Sequence, residues 1–140
     1  MKYVFFVTRD PWASFNSIYA YIKIKNVKPS KFLALYTDEK NMKSVHHMLS
    51  TLYEKIGKDF EMMKIKIDSD DIEEHRRILA DHLEEGDIVD ITGARKIMIL
   101  ALSGIKGVKI VYLYLRDMRF SSHPFMMRPM SVQSFAEVEV

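Results

Sequence analysis

The sequence predicts one α/β domain over residues 1–140, with a Rossmann-like, doubly wound and mainly parallel sheet. Short apolar stretches alternate with amphipathic ones along the chain, which is the pattern of parallel strands with helices on both faces. The stretches at 2–8 and 31–37 are almost continuously apolar, as in strands that are buried on both faces. Those at 61–67 and 131–140 alternate apolar and polar residues, as in edge strands. A strand order of 3-2-1-4-5, with a C-terminal edge strand after the fifth, satisfies these constraints.

The first half of the chain contains two strand–helix units. "KYVFFVT" is the first strand, and a helix follows at 14–25 with Ser14 as its predicted N-cap. "KFLALYT" is the second strand, and Asp38 precedes a helix whose apolar residues recur at spacings of three and one. Gly57 follows that helix at the position where a left-handed backbone conformation favours glycine.

The third and fourth strands follow with a helix between them. "EMMKIKI" is the third strand. Asp70 and Glu73 predict a capping box for a helix at 71–85, which Gly86 stops. "DIVDIT" at 87–92 is the fourth strand.

The last third of the chain contains the fifth strand and the edge strand. A short helix at 94–104 is apolar almost all round, which predicts that it is well buried. "VKIVYLYL" at 108–115 is the fifth strand, and residues 116–130 have no regular pattern. The edge strand that follows has three apolar residues on one face: Ala136, Val138 and Val140.

Composition excludes several classes of function. The chain has no cysteine, so disulfides, thiolate metal ligands and cysteine nucleophiles are absent. Its net charge of +2 does not indicate broad binding to duplex DNA. No apolar run approaches the roughly 20 residues that cross a bilayer. His75 and His82 share a helix face without a third metal ligand. We therefore expect a cytoplasmic protein that needs no metal or other cofactor.

The turn "DITGARK" at 90–96 is the main candidate for a binding site. In a doubly wound sheet, ligands bind outside the carboxyl ends of the strands, where the winding direction reverses between strands one and four. A helix start there offers unpaired backbone N–H groups, and Gly93 permits a close approach or a positive φ. Thr92 offers a hydroxyl, and Arg95 and Lys96 add positive charge. A plain strand-to-helix corner with solvated cations is the other interpretation.

Two common nucleotide-binding signatures are absent. The turn lacks the spacing of a P-loop, and the first loop, "VTRDPWAS", has no glycine and so cannot be a dinucleotide fingerprint. This weighs against an oxidoreductase that uses NAD or FAD.

Other loops at the same sheet edge supply further binding candidates. Trp12 is suited to stack on a base, or equally to cover the apolar end of the sheet. Segment 116–128 mixes Arg, Met and aromatic residues, which suits a nucleotide lid or a dimer contact. The ligand-binding candidates from these loops are Thr8, Arg9, Asp10, Trp12, Thr37, Arg116 and Arg119.

The stretch "DITGARKIM" resembles the motif after the fourth strand of CARF domains, the cyclic-oligoadenylate sensors of type III CRISPR systems. The family pattern is close to T-G-G-x-K/R-x-M. Ala94 stands where the family has its second glycine, which narrows the backbone approach to a phosphate. At the level of topology the resemblance covers nearly the whole chain. The residues that fit the pattern are Thr92, Gly93, Arg95, Lys96 and Met98.

The resemblance implies that the chain binds cyclic oligoadenylate, with the tetramer as the expected ring. CARF domains form two-fold homodimers with the ring across the axis, and a two-fold symmetric tetramer matches an isologous dimer. Most members carry an effector domain, for which these 140 residues leave no room. This makes the chain similar to the ring nucleases, which cleave the messenger and switch off type III CRISPR signalling.

Ring cleavage of this kind needs no metal. A ribose 2′-hydroxyl attacks its adjacent phosphate and gives a 2′,3′-cyclic phosphate and a 5′-hydroxyl. Lys96 is the implied catalytic residue, steadying charge on the phosphorane, while Arg95 and Ala94 join the ligand contacts. Ser14 is a second catalytic candidate, because a serine in the first loop helps in related ring nucleases, although Asp10-Pro11 stands where those have Ser-Pro.

Two alternatives stay open. The chain can be a non-catalytic sensor or sponge for cyclic oligoadenylate that acts on a partner. It can also be an unrelated Rossmann-like enzyme that binds a phosphate or a nucleotide.

Overall fold

The computed structural model describes all 140 residues as a six-stranded sheet with helices on both faces. The strand order is β3-β2-β1-β4-β5-β6, and β6 alone runs antiparallel to its neighbour. The strands are β1 (Tyr3–Val7), β2 (Lys31–Tyr36), β3 (Glu61–Lys66), β4 (Ile88–Asp90), β5 (Lys109–Leu115) and β6 (Gln133–Glu139). The predicted fold class and strand order are confirmed.

Four helices and one irregular connection complete the fold. The helices are α1 (Pro11–Lys25), α2 (Glu39–Ile56), α3 (Ile72–His82) and α4 (Lys96–Leu100). Residues 116–132, here called the β5–β6 connection, form three short 3-10 turns. None of the helices is long and apolar enough to cross a membrane.

The buried strands divide the core into two layers. Side chains alternate along β1, so Phe5 packs in the layer under α1 and α2, whereas Phe6 packs in the layer under α3 and α4. All five residues of β1 are buried, which explains its continuous apolar sequence. The predicted N-cap Asp38 and the left-handed Gly57 bound α2 as expected, with φ of 68° at Gly57.

Helix α1 begins earlier than predicted, and Ser14 does not cap it. Asp10 is the N-cap, because its carboxylate accepts a hydrogen bond from the backbone N–H of Trp12. Pro11 follows at the first helical position, where its fixed φ suits the helix and its missing N–H costs nothing. The predicted start at Ser14 is therefore wrong, because Asp10 and Pro11 together already form a favourable helix start.

Two other helices are shorter than predicted. Helix α3 is capped by Asp71 rather than Asp70, and it ends at His82, before Gly86. Helix α4 covers five residues instead of eleven, since turns follow it through 104.

The expectation that α4 is buried all round is wrong. Met98 is 1% exposed, but Leu100 is 60% exposed and Ile99 is 38% exposed. Because α4 is so short, it leaves the neighbouring face of β5 and β6 uncovered. There the register pairs Ile110 with Val138 and Tyr112 with Ala136. Val138 is 57% exposed. We call this surface, made of these β5 and β6 residues with Ile99, Leu100 and Val140, the open sheet face.

Candidate functional site

The loops after β1 and β4 are in direct contact at the carboxyl edge of the sheet. The hydroxyl of Thr8 donates a hydrogen bond of 2.9 Å to the carbonyl of Gly93. A Cβ atom on Gly93 would lie 2.2 Å from the carbonyl oxygen of Phe6 and 2.6 Å from Oγ of Ser14. Gly93 has no positive φ, so glycine is required here for the close approach alone. The two loops are therefore packed against each other beyond the ends of β1 and β4.

A buried polar network fixes the turn from below. The phenol of Tyr3 donates to Oδ2 of Asp90 at 2.5 Å, and the backbone N–H of Thr92 donates to Oδ1 at 3.0 Å. The Thr92 hydroxyl donates to Oγ of Ser17 and accepts from the backbone N–H of Leu113, both at 2.9 Å. Burial raises the pKa of Asp90, and the hydrogen bonds it accepts offset part of that effect. The hydroxyl of Thr92 therefore serves the fold, and the turn is rigidly held.

The two cations of the turn have no protein partner. Arg95 and Lys96 are exposed, and neither forms an ion pair or a side-chain hydrogen bond to an acceptor. Arg9 in the neighbouring loop is also exposed and unpaired. No side chain caps the start of α4. A helix of five residues sums few peptide dipoles, so positive charge at this edge comes mainly from the side chains.

The first loop is held by α1 and α2. Nδ2 of Asn41 donates to the carbonyls of Thr8 and Arg9 at 2.9 and 3.1 Å. Trp12 lies in the first turn of α1 and packs edge-on against Phe15, with 6.2 Å between ring centroids. Thus Trp12 covers apolar surface next to the site rather than standing free in a loop.

Several predicted site residues contribute to the scaffold. Ser14 is 1% exposed, and its hydroxyl donates to the carbonyl of Phe6 at 2.6 Å. Met98 is buried in the core layer under α4, and Ala94 packs against the same layer. The backbone N–H of Thr37 donates to the carbonyl of Val7 at 3.1 Å, which continues the pairing of β1 with β2.

The two predicted arginines of the β5–β6 connection are engaged within it. Arg119 pairs with Asp117, with 2.6 Å between Nη2 and Oδ2. Arg116 lies over the ring of Tyr114 at 6.0 Å and donates to the carbonyl of Ser131 at 3.3 Å. Both remain at this sheet edge. Arg119 is paired with a carboxylate, whereas Arg116 contacts only a ring and a carbonyl.

Two buried polar residues outside the predicted site set order this connection. Asn16 is fully buried in α1, and its amide donates to the carbonyl of His123 and accepts from the N–H of Phe125, both at 2.8 Å. Arg128 is 6% exposed and donates to three carbonyls of the connection, those of Phe120, Ser121 and His123. An asparagine on the apolar face of α1 is a signal in the sequence. Nothing in the sequence distinguishes Arg128 from its neighbouring arginines.

A small cavity lies beside the turn, at the ends of β4 and β5. Its volume is about 160 Å³, and it is walled by α1, β5 and the β5–β6 connection. From the predicted set it brings together Asp10 and Thr92, while Arg95 and Lys96 remain on the surface outside it. No group of three His, Asp or Glu side chains is arranged to hold a metal ion. The cavity is lined by Asp10, Ala13, Thr92, Tyr112, Leu113, Leu115, Met118, Ser121 and Arg128.

Comparison with known proteins identifies a structural relative. No family model matches the sequence, and no curated protein matches it. Among solved structures the fold is similar to Can2 from Sulfobacillus thermosulfidooxidans in complex with cyclic tetra-adenylate, with a TM-score of 0.56 and 20% sequence identity. The match covers 84% of this chain and 32% of Can2, so the chain spans about a third of that relative's length. This likeness shows that the two share the Rossmann-like fold.

Proposed function

We propose that this domain binds cyclic oligoadenylate, with cyclic tetra-adenylate as the expected ring, at the carboxyl edge of its sheet. The observation that carries the proposal is the pair Arg95 and Lys96, exposed and unpaired on a turn that Gly93 and Asp90 hold in place. Cations that stand on a fixed turn and have no protein partner suit a ligand that carries several phosphates. The fold likeness to a protein solved with cyclic tetra-adenylate supports this choice of polyanion.

The open sheet face supports the proposal that the domain binds the ring as a homodimer. Leu100, Val138 and Val140 are 60%, 57% and 47% exposed on neighbouring elements, and contiguous exposed apolar surface marks an interaction site. Lys96 and Leu100 lie at the two ends of α4, about 6 Å apart along its axis. Pairing of two copies through Leu100 therefore brings both Lys96 side chains near the two-fold axis. A two-fold symmetric ring across that axis meets the same cations from each copy.

Ring opening is the reaction that this arrangement supports. The ribose 2′-oxygen forms a bond to the adjacent phosphorus, and the bond from phosphorus to the 5′-oxygen breaks. The proton of the 2′-hydroxyl is lost and the 5′-oxygen gains one, so the products are a 2′,3′-cyclic phosphate and a 5′-hydroxyl. The Lys96 ammonium stabilises the charge that develops on the non-bridging oxygens, and Arg95 holds the phosphate. Such cleavage ends type III CRISPR signalling.

The reaction is tested by incubating the protein with an equal concentration of cyclic tetra-adenylate in the presence of EDTA. We expect linear di- and tetra-adenylates with 2′,3′-cyclic phosphate ends, identified by mass spectrometry. Lys96→Ala should reduce the rate about 100-fold, as loss of one stabilising donor does. Recovery of the intact ring from the unaltered protein would contradict catalysis.

Binding without cleavage is the second candidate, and the position of Ser14 favours it. The hydroxyl of Ser14 is buried and bound to the Phe6 carbonyl, so it is not presented to a ligand at the surface. A domain that holds the ring intact acts as a sensor or sponge. Tight binding together with full recovery of the ring selects this function.

A further inference from the structure

The cavity at the carboxyl edge contains an almost fully buried charged side chain with one free donor. Nε of Arg128 donates to the carbonyls of Phe120 and His123 at 2.9 and 3.1 Å, and Nη2 donates to that of Ser121 at 2.7 Å. Nη1 has no protein acceptor, yet it is not sealed from solvent. Arg128 lines the cavity, and Nη1 is the guanidinium donor that has no protein acceptor.

A carboxylate lines the same cavity. One oxygen of Asp10 accepts from the backbone N–H of Trp12, which leaves the other oxygen free. Burial lowers the pKa of Arg128 and the charge of Asp10 raises it, so the carboxylate lies within electrostatic reach of the guanidinium. No ion pair joins the two side chains. The cavity therefore offers a separate donor and acceptor.

Size and charge decide what fits this cavity. The carboxylate of Asp10 repels a phosphate, whereas a base edge with an amine beside a ring nitrogen satisfies both groups. The volume of about 160 Å³ is below the roughly 300–1,000 Å³ of pockets for whole small molecules. It is close to the about 150 Å³ of a cavity that takes up benzene. The apolar walls Ala13, Leu113 and Leu115 suit the faces of a ring.

We propose that this cavity seats one adenine base of the ligand. The exocyclic amine donates to Asp10, and Nη1 of Arg128 donates to a neighbouring ring nitrogen, N1 or N7. This inference rests on the proposed function, in which Arg95 and Lys96 hold the phosphates. It adds selection for the base, which those surface cations cannot provide.

Cyclic tetramers whose bases lack the exocyclic amine test the inference. The probe is a cyclic tetramer in which purine replaces adenine, compared with cyclic tetra-adenylate by calorimetry. We expect the unaltered protein to bind the amine-free ring at least about tenfold more weakly, because the charged acceptor loses its donor. In Asp10→Asn the difference should fall below about threefold. Asparagine caps a helix as well as aspartate does, so α1 is preserved.

A matched control separates base contact from bulk charge. Asp38→Asn removes a charge from the N-cap of α2 at the same sheet edge, but Asp38 does not line the cavity. We expect this variant to keep the tenfold difference. Rings made with 1-deazaadenine and 7-deazaadenine test the part of Arg128, since one of them lacks its acceptor and should bind about tenfold more weakly.

The outcomes distinguish this inference from the proposed function. If the unaltered protein binds the adenine and purine rings equally, or if Asp38→Asn acts like Asp10→Asn, the base pocket is wrong and ring binding stands. If both deaza rings bind as well as cyclic tetra-adenylate, Arg128 makes no base contact and that assignment is overturned. If no ring binds, the proposed function and the base pocket are both overturned.

Discussion

The phenol of Tyr3 donates a hydrogen bond of 2.5 Å to the carboxylate of Asp90, across the neighbouring strands β1 and β4. Both residues are buried, and Asp90 is the last residue of β4, directly before the turn that carries the two unpaired cations. Because Asp90 is buried, its protonation state affects the stability of the fold beneath the turn.

Asp90→Asn tests this coupling through pH. Burial raises the pKa of Asp90 above its ordinary value of 3.8, so the folded protein holds this proton more tightly than the unfolded chain. The stabilisation that the protonated carboxyl group of Asp90 provides is complete below the unfolded pKa. It is lost as pH rises through the folded pKa. In urea titrations from about pH 4 to about pH 8, Asp90→Asn should gain stability relative to the unaltered protein, by at most about 1.4 kcal/mol per pH unit.

Asp87→Asn is the control for this experiment and should show the opposite trend. Burial raises the pKa of Asp87, but hydrogen bonds and an ion pair with Lys2 outweigh it and hold the pKa below its usual value. The stabilisation that the ionised carboxylate of Asp87 provides is present above the unfolded pKa. It is lost as pH falls through the folded pKa. A difference between Asp90→Asn and the unaltered protein that does not vary with pH would contradict our account of Asp90.

Gly93→Ala should destabilise the protein and disturb the turn. The added Cβ meets the backbone oxygen of Phe6 at 2.2 Å and Oγ of Ser14 at 2.6 Å. Overpacking of this kind costs about 1–3 kcal/mol, measured by chemical denaturation. Because the nearest atom belongs to the backbone, Ser14→Ala should not rescue the variant. Full recovery in the double variant would show that the clash is only with the serine.

Lys96→Ala and Arg95→Ala should each weaken binding of cyclic tetra-adenylate about tenfold, since each removes a charged donor to a phosphate. Binding by these variants should also depend less on salt. Lys55→Ala is the matched control, because Lys55 is an exposed cation in the last turn of α2, at the end of that helix away from the carboxyl edge. Equal weakening by all three variants would indicate a general charge effect instead of a site.

Val138→Lys should convert a dimer into a monomer, as measured by light scattering. Val138 is 57% exposed in the single chain, so a lysine there leaves folding intact and places charge in the interface. Ile24→Lys is the control, because Ile24 is 52% exposed near the end of α1, outside the open sheet face. A monomeric unaltered protein, or a dimeric Val138→Lys variant, would contradict the proposed interface.

The sequence predicts the sheet well because the pattern of apolar residues in each strand indicates how far that strand is buried. The continuous runs of β1 and β2 and the alternation of β3 are sufficient to order the strands. Helix ends are predicted less well where two caps compete, as with Asp10 and Ser14, because the decision depends on which backbone N–H groups the fold exposes.

The site is only partly predictable for a related reason. The turn "TGARK" can be recognised as a candidate site from the sequence, because a glycine and two cations follow a predicted strand. Arg128 is not visible, because its burial depends on three carbonyls of an irregular connection that only the folded chain brings together. The same applies to Thr92, whose hydroxyl is used by Ser17 and Leu113 from distant parts of the chain.

Calorimetric titration of the purified protein with cyclic tetra-adenylate in EDTA tests the central claim most directly. We expect saturable binding of one ring per two chains, and we expect the double variant Arg95→Ala, Lys96→Ala to lose it. Absence of binding, or binding that the double variant retains in full, would contradict it.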